Sequence, residues 1–565
     1  MIRLIGGEMP TWTEDQPAAG GALLRSVVER LPPDVEVLIA GPHDEALIEA
    51  LAGRASVTCL VRSQPDAGVL DAKGIEVLCG SLPKLDRERW DVVVALDGVG
   101  RLCSVEGPQL GWAESLAVLK RALRPGGMLL LTVENELGVH RLVDPLTDTA
   151  PQGDGGWQPT GEFDPSRPGT PTRLTARLAA EGLTTDWLGA LWPTPAAPTL
   201  LTTPAALTDG PVDALAAFAA AALGAAYARK SALSDPRRLT ATAVRAGLGS
   251  ELAAGWLITA RLSAQPSPSP QPSPSTQSSL STQPLPSTQP LPSEQPLPSE
   301  QPSLSPRPMP PALLSTATGV VLEVAPDPDG AWVRRVVGGP PLGGSALDGP
   351  ELDSPELDSP ALAGPALDSS ALEGPLPVGR LLEELLLGAS LRGDLPELRR
   401  LLAGWMAALP GAGADNVVVE HDAFVLLDPA APEVADPLRR FADTLLTGGY
   451  ANPWPAYTDP ATLTAILRGA AGLPGDYPAV MDGEDPPVPD SRREHEEQLR
   501  ALRRELETAV SRADFYEKLL TKREKELQKA RRQIATFGDK VGYRVVKLGY
   551  GVARKARNSL RKGNK

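Results

Sequence analysis

The side chains best able to hold a metal or act as nucleophiles are few in this chain and scattered along it. Its 565 residues include three cysteines, Cys59, Cys79 and Cys103, widely spaced and set in or beside apolar runs. Zinc sites and disulfide frameworks need paired spacings such as C-x-x-C, and none occurs, so buried free thiols in a reducing compartment are expected. The four histidines, His43, His140, His421 and His495, never fall close together. A histidine-built metal centre is therefore not expected, and no metal is assigned.

The elements that must position any remaining chemistry are those of a long cytoplasmic chain. No apolar run reaches signal-peptide or membrane-spanning length, and Val212–Tyr227, the closest, is mostly alanine and reads as a helix of a soluble protein. The net charge is −15, yet Lys540–Lys565 holds nine Lys/Arg and no acid, which leaves −24 on the rest. An acidic body with a basic tail is the charge pattern to be explained.

Residues 1–262 alternate strand and helix signals. Val35–Ala40, Val57–Val61, Ile75–Cys79, Val92–Leu96 and Met128–Val133 are short apolar runs without alternation, as expected of a mainly parallel sheet covered on both faces. Helices are expected at Asp44–Leu51 and Trp112–Leu123, and Leu174–Leu201 supplies candidates for the last strands. Residues 263–311 are a Pro/Ser/Gln-rich disordered linker in which a QPLPS[TE] unit repeats, a composition that favours extended polyproline and forms no core. Residues 312–480 read as a smaller α+β domain. It has a hairpin at Val320–Val324 and Trp332–Val337, a low-complexity insert at 340–375, a strongly helical Leu381–Leu409 and two short strands within Asp415–Asp428.

After a linker at 481–490, residues 491–538 carry Leu499, Leu502, Leu506, Ala509, Ala513, Tyr516, Leu520, Leu527, Ala530, Ile534 and Phe537 at intervals of three and four, with only Arg523 out of pattern between Leu520 and Leu527. That heptad, with charged flanks, predicts a coiled coil and a homo-oligomer. In the tail, 539–565, Val541, Val545, Leu548, Val552 and Ala556 share one helical face and the cations lie largely elsewhere. A basic amphipathic helix suits an anionic membrane surface. No DNA-reading fold accompanies it, so nucleic acid is not an expected partner.

Taken in order, VEVLIAGPHD, VTCLVRS, IEVLCGSLPKL, WDVVVALDGVGRL and LKRALRPGGMLLLTVEN resemble the successive motifs of class I S-adenosylmethionine (SAM)-dependent methyltransferases. The resemblance covers about 45% of the chain and is strongest over Leu119–Asn135. It implies a Rossmann-like domain, SAM as cofactor, and a cleft lined by Gly41, His43, Arg62, Ser81 and Asp97. The family's glycine-rich turn is represented only by Gly41, in Ala40-Gly41-Pro42-His43-Asp44. Pro42 removes a backbone donor, and Asp44 and Glu45 are able to cap the following helix themselves. The acid that the family uses to hold the ribose is replaced by Arg62 or Ser63, and the acid beside the adenine by Ser81.

The second domain is faintly similar to the C-lobe of aminoglycoside-phosphotransferase-type kinases, with Asn416 and Asp428 at the positions of the magnesium ligands. The catalytic His-Gly-Asp, a Gly-rich loop and a lysine anywhere in 312–410 are missing. The resemblance therefore implies a kinase-like remnant. Two functions stay open. One is a SAM-dependent methyltransferase acting on a sugar or cell-surface polymer, peripheral on the inner face of the membrane. The other is a catalytically inactive, self-associating scaffold that keeps the fold.

Overall fold

A computed structural model describes residues 1–14, 16–105, 107–143, 164–227, 234–263, 307–338, 372–454, 459–474 and 541–562, together with scattered positions within 502–533. The Pro-rich repeat, most of the low-complexity insert, and Leu499, Ala513, Ile534 and Phe537 of the heptad lie outside the described residues. The chain divides into two units, Met1–Val488 and Pro489–Lys565.

The first unit is built on a 13-stranded sheet. Its strands are β1 (Ile2–Gly6), β2 (Glu36–Ala40), β3 (Ser56–Val61), β4 (Glu76–Gly80), β5 (Trp90–Ala95), β6 (Leu123–Glu134), β7 (Leu183–Trp192), β8 (Leu200–Thr202), β9 (Gly255–Leu262), β10 (Ala312–Ser315), β11 (Val321–Pro326), β12 (Trp332–Gly338) and β13 (Gly374–Pro375). They lie in the order β1-β4-β3-β2-β5-β6-β9-β7-β8-β10-β11-β12-β13. The first six strands of that order are mutually parallel. β9 enters antiparallel between β6 and β7, and every later pair is antiparallel.

The apolar runs form buried strands because each is covered on both faces. Leu38, Val93, Ala95, Leu129 and Leu131 pack into one core, while Val37, Ile39, Val92, Val94 and Leu130 pack into the other. Helices α1 (Ala22–Val28) and α2 (Glu45–Ala52) cover the second core, and α3 (Gln64–Ala72) follows β3. Helices α4 (Trp112–Ala122) and α5 (Val139–Val143) lie on the first core. The same core takes in α6 (Pro171–Ala180), α7 (Pro204–Asp209), α8 (Val212–Tyr227) and α9 (Pro236–Arg245), with α10 (Gly249–Leu252) leading into β9.

Three features differ from the expectation. β1 is an added parallel strand outside β4, and its exposed Leu4 and half-buried neighbours leave no apolar run to signal it. β6 begins at Leu123 and runs through Arg124-Pro125-Gly126-Gly127, so the turn glycines sit inside the strand, Gly126 at φ +78°. β10–β12 also extend the main sheet, with Ala312, Leu313 and Leu314 opposite Thr202, Leu201 and Leu200.

The strongly helical stretch Leu381–Leu409 forms two helices, α11 (Leu382–Arg392) and α12 (Leu395–Ala408). Gly393, left-handed at φ +65°, ends the first, and Asp394 caps the second through Glu397 N–H. With α13 (Pro437–Thr447) and α14 (Pro460–Ala470) they bury Trp405, Phe441 and Leu463 in a core of their own. Strands β14 (Arg380–Leu381), β15 (Val417–Glu420) and β16 (Ala423–Leu426) form a small sheet beside it. The helices are tied to the large sheet's layer by Arg237, which donates both to Asp235 and, at 2.7 and 2.9 Å, to the buried Glu383.

In the second unit the described positions of 502–533 are helical, and Leu502, Leu506, Tyr516, Leu520 and Leu527 are exposed. A helix spans Val541–Lys562. Among the described residues no helix is long and apolar enough to cross a membrane.

Candidate functional site

In an open parallel sheet, ligands bind outside the carboxyl ends of the strands, at the point where the strand order reverses. Here that point lies between β2 and β5. The chain leaves β2 at Gly41, β3 at Arg62, β4 at Ser81 and β5 at Leu96-Asp97. All five residues implied by the sequence therefore reach one edge of the sheet.

Each of them is engaged from within the protein. Gly41 has φ +92°, and a Cβ there would stand 3.2 Å from Leu102 and 3.7 Å from Asp97 Oδ2, so this is a turn that only glycine makes cheaply. His43 is buried, with Nδ1 3.0 Å from Gly41 O and Nε2 accepting the Leu96 N–H at 3.1 Å. Those partners require the neutral ring with its proton on Nδ1. Burial holds the imidazole neutral, lowering its pKa to about 4. A ring with both nitrogens tied to backbone is a strut between the β2 and β5 turns, without a lone pair for a substrate proton.

Arg62 donates to Glu14 Oε1 through Nε at 2.8 Å and to Cys103 O through Nη1 at 2.8 Å, with its guanidinium 4.7 Å from the centre of the Trp12 ring. Asp97 is paired with Arg101, which also donates to Gln16 O at 3.1 Å and Pro17 O at 2.9 Å. Burial pushes the Asp97 carboxyl up against the pull of that guanidinium. Ser81 Oγ accepts the Ser104 N–H at 3.2 Å. Asp44 caps α2 through Leu47 N–H at 2.7 Å and also takes Gly21 N–H at 2.8 Å, so the helix end facing the crevice already has its anion.

The partners Trp12, Glu14, Gln16 and Pro17 belong to one segment. Residues 7–14 and 16–20 lie between β1 and α1, across the carboxyl ends of the sheet. Met9 bridges Ser63 in parallel fashion, its N–H bonding to Arg62 O at 2.8 Å and its carbonyl accepting Gln64 N–H at 3.1 Å. Ala19 bridges His43 in the same way, with its N–H on Pro42 O at 3.2 Å and Asp44 N–H on its carbonyl at 2.9 Å. Glu14 lies between two cations, bonded to Arg62 and 3.7 Å from Arg101 Nη1. Nothing in MPTWTEDQPAAGG has the period of a helix or strand, so neither this strap nor Arg101 was signalled by the sequence.

A second cluster stands at the carboxyl end of β6. Glu134 Oε1 accepts from Arg141 at 2.7 Å and lies 3.3 Å from His140 Nε2, while Arg167 is 3.7 Å from Oε2. Burial alone would raise this carboxyl, but His140 and the two guanidiniums hold it down at about 2. An acid that strong is a permanent anchor for α5, since it retains no proton near neutrality and is too weak a base to take one.

In the smaller sheet, Asn416 and Asp428 meet each other. Asn416 Nδ2 donates to Asp428 O at 2.9 Å, and Asp428 N–H donates to Asn416 Oδ1 at 2.8 Å, which closes the loop around β15 and β16. The Asp428 carboxylate accepts Ala430 N–H at 2.8 Å. Among the described residues no group of three His, Cys, Asp or Glu is placed to hold a metal ion.

No family model matches the sequence, and no curated protein matches it. Solved structures do align with it. A 1,6-didemethyltoxoflavin-N1-methyltransferase of Burkholderia thailandensis, bound to S-adenosylhomocysteine, is 15% identical, over 43% of this chain and 78% of its own, at a TM-score of 0.23. A SAM-dependent methyltransferase of Mesorhizobium loti is 14% identical, over 43% of this chain and 98% of its own, at 0.24. A geranyl diphosphate methyltransferase in complex with SAM is 11% identical, over 43% and 85%, at 0.26. The strand order, and not these likenesses, carries the fold described here.

Proposed function

We propose that this chain is a non-catalytic, self-associating scaffold built on a methyltransferase-like α/β domain. The supporting observation is the strap: residues 7–14 and 16–20 lie where a nucleotide-like cofactor would lie, and their groups meet those of Arg62, His43 and Arg101. The residues present do not fit SAM. The one glycine of the turn packs against Leu102 and Asp97, the ribose-binding acid is an arginine already paired with Glu14, and the helix N-terminus is capped by Asp44. The kinase-like remnant takes the same reading, with the Asn416 side chain bonded to the Asp428 backbone and the Asp428 carboxylate accepting Ala430 N–H. The heptad of 491–538 supplies the self-association.

Thermal unfolding of the full-length protein with 1 mM SAM or S-adenosylhomocysteine tests this. The midpoint is expected to stay where it is without ligand. A rise of several degrees would mean binding to the native state and would restore the enzyme acting on a sugar or polymer acceptor, because a ligand at about 100 times its Kd adds roughly 2.7 kcal/mol.

A further inference from the structure

We propose that the helix Val541–Lys562 docks lengthwise on an anionic lipid bilayer. Its 22 residues carry seven Lys/Arg and no Asp or Glu. Val545, Leu548 and Val552 follow the spacing of one helical stripe and are 61%, 69% and 66% exposed. Lys547, Arg554, Lys555 and Arg557 turn to the remaining arc. An apolar stripe flanked by cations alone matches a surface whose interior is apolar and whose rim is negative.

Two features favour lipid over a second copy of the helix. The sequence of 502–533 mixes six acids with ten bases, as paired helices require, whereas this segment presents one sign only and would repel its own copy. It also contains Gly542, Gly549 and Gly551, each weakening a free helix about fivefold relative to alanine, so the segment gains from an external surface that rewards the helical form. The docking is independent of the crevice and of any cofactor.

The test is co-sedimentation of the full-length protein with vesicles. One set is phosphatidylcholine alone, and the other carries about 30% phosphatidylglycerol. Partition is expected to rise at least tenfold with the anionic lipid and to fall back in 0.5 M salt, as about fivefold per cation implies. Val545→Asp with Leu548→Asp should cost at least tenfold, and Arg554→Glu with Lys555→Glu at least as much, with the oligomeric state unchanged in both. Equal binding to the two vesicle types, or none, would overturn the proposal. So would full binding after loss of the apolar pair, dissociation of the oligomer by that pair, or tighter binding to duplex DNA than to the anionic vesicles.

Discussion

His43 shows how a residue with catalytic potential can be committed to structure. Its free-chain pKa near 6.5 is lowered to about 4 by burial, so between those values the unfolded chain holds the extra proton. Stability is thus complete above pH 6.5 and falls as the pH drops toward 4. This residue alone should take about 2 kcal/mol from the protein between pH 7 and pH 5. Denaturant titration should find that loss in the native protein and a flatter profile in His43→Leu, which is less stable at pH 7 by roughly 1–3 kcal/mol because the Leu96 N–H loses its acceptor. Parallel profiles for the two proteins would refute the strut. The position of His43 after the first apolar run was readable from the sequence, but its role was not, because both of its partners are backbone atoms contributed by the turns after β2 and β5. Asp44 was more legible, since a short acid ahead of an apolar helical run is itself a capping signal.

At the scale of elements, the strap decides what the crevice can do. Glu14 and Arg62 are 13% and 16% exposed and bonded at 2.8 Å, so removing the carboxylate leaves a largely buried guanidinium short of its partner. Glu14→Ala should lower stability by about 2 kcal/mol, read as a shift of the urea midpoint, whereas a loosely held surface pair would move it by less than about 0.5. The strands beneath were visible in the sequence because residues buried on both faces leave an unbroken apolar run, as in Leu38–Ala40 and Val92–Ala95. The strap was not, since it is held by alternate backbone pairing to Arg62 and Pro42 and by charges far apart in sequence. β11 and β12 were legible as a hairpin, but β10, which joins them to the large sheet, was not: a strand's partner across a long linker leaves no trace in its own pattern.

For the whole molecule, the scaffold reading places a closed α/β body in one unit and an exposed heptad helix in another. Sedimentation equilibrium of the full chain should give an oligomer, and Leu506→Asp with Leu520→Asp should return it to the monomer, since charges at seam positions must be buried unpaired on assembly. An oligomer that survives both changes would assign association to another surface. The scaffold depends on residues 7–14 and 16–20 occupying the cleft, and amide hydrogen exchange measures that most directly. The N–H groups of Met9 and Ala19, bonded to Arg62 O and Pro42 O, should exchange at least about a hundredfold more slowly than in an unstructured peptide, and 1 mM SAM should leave them and Gly41 unchanged. Exchange of Met9 and Ala19 at the free-peptide rate, or new protection spreading over Gly41, Ser63 and Asp97 when SAM is added, would contradict the account and mark the crevice as a working cofactor site.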